Sequence, residues 1–205
     1  MNENQVPEYQ EEVVKGVSFS RTLFDVLETL VIAICAVFLI FMCGLRLCRV
    51  DGDSMLKTLH DGENLIVCDW FYKPKTGDII VFHQTSEIDL RLNEPIVKRV
   101  IATEGQFVMI DAETATVYVS DDENITSADA LDEPYAYIEF GKMFDAYDIS
   151  GKIMQVPKDC VFVLGDNRNN STDSRYAGIG FVDERRILGK VVLRLTPFDK
   201  FGLIG

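Results

Sequence analysis

The chain has 205 residues and a formal net charge of −13. That length holds one globular domain plus a tail or an anchor. The acidity argues against nucleic acid, because no basic stripe is available to neutralise phosphates, and against a polybasic anchor on a lipid surface. The plain meaning of the acid is a solvated, negatively charged exterior. Glu3, Glu8, Glu11 and Glu12 give the first residues a polar character that predicts disorder.

The first hydrophobic element is the unbroken apolar run Leu30 to Leu45, flanked by Val26, Leu27 and Leu47. The run alone falls short of the roughly 18 to 20 residues that cross a bilayer core, and the flanks extend it. A core helix of a soluble protein would show an amphipathic stripe, whereas this run is apolar all round. A cleavable leader would carry a basic head and a small-x-small site. Here Glu11, Glu12, Asp25 and Glu28 crowd the approach, and no such site precedes Asp51. The segment therefore reads as an uncleaved transmembrane anchor over 23–49, with Arg46 and Arg49 able to snorkel to the interface. Lys15 and Arg21 before it balance Arg46 and Arg49 after it, so local charge leaves the orientation open.

Beyond the anchor the pattern is short and β-branched. The runs Leu65–Cys68, Ile79–Phe82, Ile96–Ala102, Val117–Val119, Val161–Leu164 and Ile187–Leu193 are separated by turn chemistry such as Asp61-Gly62 and Gly151-Lys152. Residues 50–205 read as one β-rich domain. Residues 106–157, with the acidic Asp121-Asp122-Glu123, read as an insert or small β subdomain within it. Cys35, Cys43 and Cys48 lie in or beside the apolar segment, and Cys68 and Cys160 lie in strand-like runs. None has zinc-ligand spacing, and the unpaired reading of Cys68 and Cys160 is preferred to a disulfide.

Two residues in this domain carry chemistry. Ser54 follows Asp51-Gly52-Asp53 just past the anchor, and Lys98 sits inside Ile96-Val97-Lys98-Arg99-Val100-Ile101. A serine nucleophile needs a base, and His60 and His83 are the only histidines. A lysine can serve when an apolar setting lowers its pKa, and period-two alternation puts Ile96 and Val100 on its face. Each residue also has an ordinary reading: Ser54 as a turn or N-cap serine, Lys98 as a solvated edge-strand lysine. The third element, Gly165-Asp166-Asn167-Arg168-Asn169-Asn170-Ser171-Thr172-Asp173-Ser174-Arg175, is far more polar than a turn requires. Arg168 falls where a calcium loop needs its third-position ligand, so no metal or other cofactor is implied.

The three elements together resemble the type I signal peptidases. The resemblance runs from the anchor to the C-terminus, through Gly52-Asp53-Ser54-Met55 with Thr58-Leu59, Val97-Lys98-Arg99-Val100-Ile101 and the Gly165–Arg175 segment, with Asp132-Glu133-Pro134-Tyr135 between them. It implies a mainly β fold: an N-terminal transmembrane helix, then a β-rich catalytic domain with an inserted small β subdomain. Residues 1–22 would be a cytoplasmic tail and 50–205 an extracytoplasmic peptidase domain. It implies Ser54 as nucleophile and Lys98 as general base, with Ser171 orienting the Lys98 amine by a hydrogen bond. Asp173 and Arg175 would form a supporting ion pair, and Asp166 would brace the same loop. The Ser54 backbone N–H, helped by Gly52, would form the oxyanion hole. Val50, Met55, Leu59 and Val97 would line shallow apolar pockets for small-x-small sites. Exported preproteins would be the substrates, with the bilayer and the export machinery close by. A non-catalytic, membrane-tethered relative is the competing expectation, and it should lack Ser54, Lys98 or Ser171, all of which are present. Lys57 stands where the family has proline, and Ala102-Thr103-Glu104-Gly105-Gln106 departs from its usual continuation, which puts substrate preference in doubt.

Overall fold

The computed structural model describes residues 8–84, 94–139 and 141–204. Glu3 lies outside them. The chain divides into two units at the Cys43–Gly44 junction. The first contains helix α1, Glu8–Cys43. Its stretch Ser20–Leu39 is long and apolar enough to cross a membrane, and none of it is buried. Two sequence expectations are corrected here. Glu8, Glu11 and Glu12 are helical rather than disordered. The helix also stops short of residue 49, because Leu45–Arg49 is strand β1. The cause is local: the alternation Leu45-Arg46-Leu47 suits a pleated edge, and Gly44 permits a close packing against the Trp70 indole that a Cβ would block.

The second unit is built from β2 Asn64–Cys68, β3 Ile79–His83, β4 Pro95–Ala102, β5 Phe107–Asp111, β6 Thr116–Ser120, β7 Met154–Gln155, β8 Cys160–Leu164, β9 Val182–Asp183, β10 Ile187–Thr196 and β11 Gly202–Leu203. The larger sheet runs β1-β2-β10-β3-β4-β8-β9, with β11 also on β10, and its pairings are antiparallel. Strand β10 is long enough to pair β3 through its first half and β2 through its second. Gly189 allows that switch: it holds φ +141°, and a Cβ there would come within 2.5 Å of Cys68 O. Strands β6-β5-β7 form a separate three-stranded sheet, drawn from residues 107–155.

Strand β4 joins three hydrophobic clusters. Val97 packs with Val50, Met55, Leu59, Leu65 and Val191. Val100 packs with Ile80, Phe82, Val161 and Val163. Ile101 and Ala102, beyond a register shift against β8, pack with Phe162 of β8 and with Val108 and Ile110 of the smaller sheet. A polar side chain in the middle of β4 is therefore surrounded by apolar packing. Lys98 is 3 % exposed. Cys35, Cys48, Cys68 and Cys160 are free, as the unpaired reading expected.

Candidate active site

Ser54 sits in a turn inside the loop between Val50 and Glu63. The base of that loop is closed by Val50 N donating to Glu63 O at 2.8 Å and Gly62 N donating to Val50 O at 2.9 Å. Gly52 holds φ +82°, and its N–H donates to Asp61 Oδ1 at 2.9 Å. Its amide is thus occupied in fixing the turn. Thr58 N and Leu59 N both donate to Met55 O, which tightens the segment after the serine.

Lys98 Nζ donates to Ser54 Oγ at 2.7 Å and to Val97 O at 2.9 Å. Burial pulls its pKa down from the ordinary lysine value to about 8; the Asp173 carboxylate works against that fall, Arg175 reinforces it and Asp166 opposes it. At pH 7 roughly one amine in ten is then neutral, against fewer than one in a thousand for a free lysine. Only the neutral amine has a lone pair with which to accept the Ser54 proton.

The polar segment after β8 stitches the two together. Asn167 N donates to Ser54 O at 3.0 Å, and Asn167 Nδ2 donates to Asp53 O at 3.0 Å. Asp166 takes the Arg99 guanidinium in a bidentate grip, at 2.8 Å to Oδ1 and 2.7 Å to Oδ2, and also accepts from Thr58 Oγ1. One carboxylate therefore ties the residue after Lys98 to the turn that carries Ser54. Arg99 lies over the Tyr135 ring, 3.9 Å from its centroid. Asp173 and Arg175 form a buried bidentate pair with both bonds at 2.8 Å, and Gly165 N donates to Asp173 Oδ2. Burial pushes the Asp173 carboxyl up, but Arg175 and the Gly165 amide outweigh it and hold it below the usual value. Gly165 must be glycine: a Cβ would strike the Ser171 side chain and come within 2.5 Å of Ser54 O.

The expected Ser171–Lys98 hydrogen bond is not made. Among the described residues Ser171 Oγ is buried without a partner at hydrogen-bond distance, and its influence reaches Asp173 as a weaker polar contact. The four residues expected to line shallow apolar pockets lie in the core. Val50, Met55, Leu59 and Val97 belong to one buried cluster, and Met55 and Leu59 are 1 % and 0 % exposed. Arg99, Asn167, Arg168 and Glu133 stand inside the motifs, and only the fold shows what each holds. Arg168 is fully buried and held by Glu133 in two bonds at 2.8 and 2.6 Å, a second guanidinium–carboxylate pair of the same kind as Arg99–Asp166. The usable signal was charge balance: a guanidinium inside a motif this dense needs a carboxylate if it is to be buried.

The chain's residues 23–196 match the family model described as signal peptidase, peptidase S26. The chain belongs to that family. It is 35 % identical over 181 residues to signal peptidase I of Bacillus caldolyticus, covering 83 % of this chain and 90 % of that one. It is 34 % identical over 162 residues to the probable signal peptidase I-1 of Synechocystis, covering 76 % and 74 %. It is 30 % identical over 194 residues to signal peptidase IB of Staphylococcus aureus strain COL, covering 86 % and 93 %. A solved signal peptidase I from Enterococcus faecalis is 27 % identical, with a TM-score of 0.41, covering 58 % of this chain and 97 % of that one. An N-terminal apolar helix in a member of this family makes the protein membrane-anchored.

Proposed function

We propose that this signal peptidase cleaves with Ser54 as nucleophile and Lys98 as general base. The protein is a serine endopeptidase that removes signal peptides. The observation that supports the residue roles best is the 2.7 Å contact between Ser54 Oγ and a buried Lys98 amine lowered to about 8. Neutral Lys98 takes the hydroxyl proton as Oγ attacks the scissile carbonyl, and the tetrahedral oxygen is held by the Ser54 backbone N–H, the Gly52 amide being engaged by Asp61. The Lys98 ammonium then gives that proton to the leaving amine, and the acyl–Ser54 ester remains. Lys98, neutral again, takes a proton from a water that attacks the ester, and as the acyl C–O bond breaks it returns that proton to the departing Ser54 Oγ, which frees the acid product and restores the serine.

Substrate choice follows from packing. Val50 and Val97 are buried in the same cluster as Met55 and Leu59, so these four side chains leave no deep apolar pocket beside Ser54. Small residues flanking the cut suit a site without such a pocket. Only β1 and a short link separate α1 from Ser54 along the chain, which favours a substrate whose signal helix is still in the bilayer. In this reading the catalytic domain faces outward, with residues 1–22 in the cytoplasm and the export machinery nearby. The test is cleavage of a signal-peptide substrate by the detergent-solubilised protein beside Ser54→Ala. A cut after small-x-small only in the intact protein supports the roles, and equal cutting by Ser54→Ala refutes them. Protease treatment of intact spheroplasts tests the orientation, where a protected C-terminal domain would reverse it.

A further inference from the structure

The Ser54 turn has a second set of supports that the reaction does not use. Glu63 is 2 % exposed at the end of the loop that carries Ser54. Its carboxylate faces Arg194 of β10, with Arg194 Nε 3.0 Å from Oε2. His60 Nδ1 at 3.4 Å and Lys200 Nζ at 4.0 Å lie around the other oxygen. Among the described residues neither Glu63 oxygen nor Arg194 Nε has an aligned hydrogen bond, so the Glu63–Arg194 contact is charge attraction. The directed bond is at the other end of the guanidinium: Arg194 Nη2 donates to Thr58 O at 2.6 Å. Thr58 belongs to the Ser54 turn, and Asp166 accepts from its hydroxyl. Two charged groups on different elements therefore grip the same residue, one through its side chain and one through its carbonyl. Asp166 comes from the segment after β8, and Arg194 comes from β10.

We propose that Glu63 and Arg194 act as a positioning pair for the nucleophile turn. Glu63 compensates the partly buried guanidinium, Nη2 fixes Thr58 O, and Ser54 Oγ is thereby kept within reach of Lys98 Nζ. The physical case rests on what each contact can do. A buried ion pair without aligned hydrogen bonds adds little net stability. A charge-assisted bond to one carbonyl, in contrast, restricts where that carbonyl can go. The Ser54 attack depends on sub-ångström placement, so the same bond acts on rate. Neither Glu63 nor Arg194 contacts Ser54 or Lys98 through the bonds described, so both act through Thr58. The inference rests on Ser54 being the nucleophile.

The test uses the full chain in detergent with a signal-peptide substrate, comparing Arg194→Gln, Arg194→Lys, Glu63→Gln, the double variant Glu63→Gln/Arg194→Gln and, in parallel, Ser54→Ala. Thermal unfolding is followed for each. Arg194→Gln should lower kcat about ten- to a hundredfold, the scale of a displaced reacting group. Its KM should stay within about twofold, since no substrate contact is lost. The pH midpoint of kcat should not move, because Lys98 keeps its neighbours. Arg194→Lys should restore most of kcat, because an ammonium can still donate to Thr58 O. Glu63→Gln should fall in the same direction, and the double variant should be no slower than Arg194→Gln. The proposal is overturned by folded Arg194→Gln at wild-type kcat, by a change in KM alone, by Arg194→Lys as slow as Arg194→Gln, or by additive losses in the double. If Arg194→Gln does not fold, Glu63→Gln decides, and wild-type kcat in that folded variant refutes the pair. Full cleavage by Ser54→Ala would instead remove the nucleophile reading. An inactive Ser54→Ala beside a fully active Arg194→Gln removes only the positioning pair.

Discussion

Helix α1 and strand β4 break the ordinary rule of burial in opposite directions. Between Ser20 and Leu39 the helix leaves Leu23, Phe24, Ile32 and Phe38 more than half exposed. Strand β4 places two cationic side chains, Lys98 and Arg99, at 3 % and 6 % exposure. Apolar surface left in water costs about 25 cal/mol per Å². That cost is removed where the surroundings are lipid, and Ser20–Leu39 is long and apolar enough to lie there. A buried charge costs several kcal/mol unless it is paired or loses its proton. β4 shows both remedies side by side. Arg99 cannot lose its proton and takes Asp166 as a bidentate partner. Lys98 has no such partner within its hydrogen bonds, and its pKa falls to about 8. The neighbour that could not become a base is the one that anchors the site.

That contrast can be broken at Lys98 first, where the largest effect is expected. Lys98→Arg should be as inactive as Lys98→Ala, each losing at least about a thousandfold in kcat/KM, because a guanidinium stays protonated. Combining Lys98→Ala with Ser54→Ala should add almost nothing, since the two act as a unit. A Lys98→Arg enzyme that retained wild-type cleavage would end the general-base assignment.

Next comes Arg99. Arg99→Met leaves Asp166 buried and uncompensated, and denaturant unfolding should show a loss of about 3–5 kcal/mol. Arg99→Met together with Asp166→Leu should recover part of it, because two apolar side chains remove the stranded charge. Stability equal to wild type in the single variant would mean that the pair is not needed to bury β4.

The pH dependence sharpens the comparison further. kcat/KM should rise with pH through about 8, as Lys98 becomes neutral, and should level off well below the free lysine value of about 10.4. The same shift has a signed effect on stability. The folded state disfavours the ammonium, so its cost is fully present below about 8. That cost is relieved as pH rises from about 8 toward about 10.4, where the unfolded chain also gives up its proton. Asp173→Asn removes a carboxylate that favours the ammonium and leaves Arg175, which disfavours it, so the midpoint should move to lower pH. A midpoint that moved up would mean that Asp173 does not act on Lys98 electrostatically.

The sequence exposed different parts of this arrangement to different degrees. The apolar helix was legible because composition alone distinguishes an all-round apolar run from an amphipathic one. The strands read from β-branched runs, Leu65–Cys68, Ile79–Phe82 and Ile96–Ala102, coincide with β2, β3 and β4. Strand β1 was hidden because Leu45-Arg46-Leu47 also reads as the flank of a membrane segment. The short β7, β9 and β11 carry too few residues for a period to show. At the site, the Ser54–Lys98 proximity was anticipated through the motifs. The Glu63–Arg194–Thr58 chain was not, because its contacts join β10 to a loop far away in sequence, and no local pattern marks Arg194. Ser171 shows the reverse difficulty. A serine in the right motif position was expected on the Lys98 amine, yet its hydroxyl stands unpaired and nearer in effect to Asp173.

The smallest effect on peptide hydrolysis should come from the element with the largest exposed apolar surface. A chain beginning at Gly44 keeps Ser54, Lys98, Asp166, Glu63 and Arg194, all within the second compact unit. The charged groups that tune Lys98 among the described residues, Asp173, Arg175 and Asp166, all belong to that unit. On a short soluble signal-peptide substrate the truncated enzyme should therefore match wild-type kcat within about twofold and keep its midpoint near 8. On a preprotein inserted in vesicles it should be slower by about a hundredfold or more, because the helix supplies effective concentration at the bilayer and no chemistry. Equal slowing on both substrates would show that α1 supports the catalytic unit itself, and the exposure of its apolar face would then need another explanation than lipid.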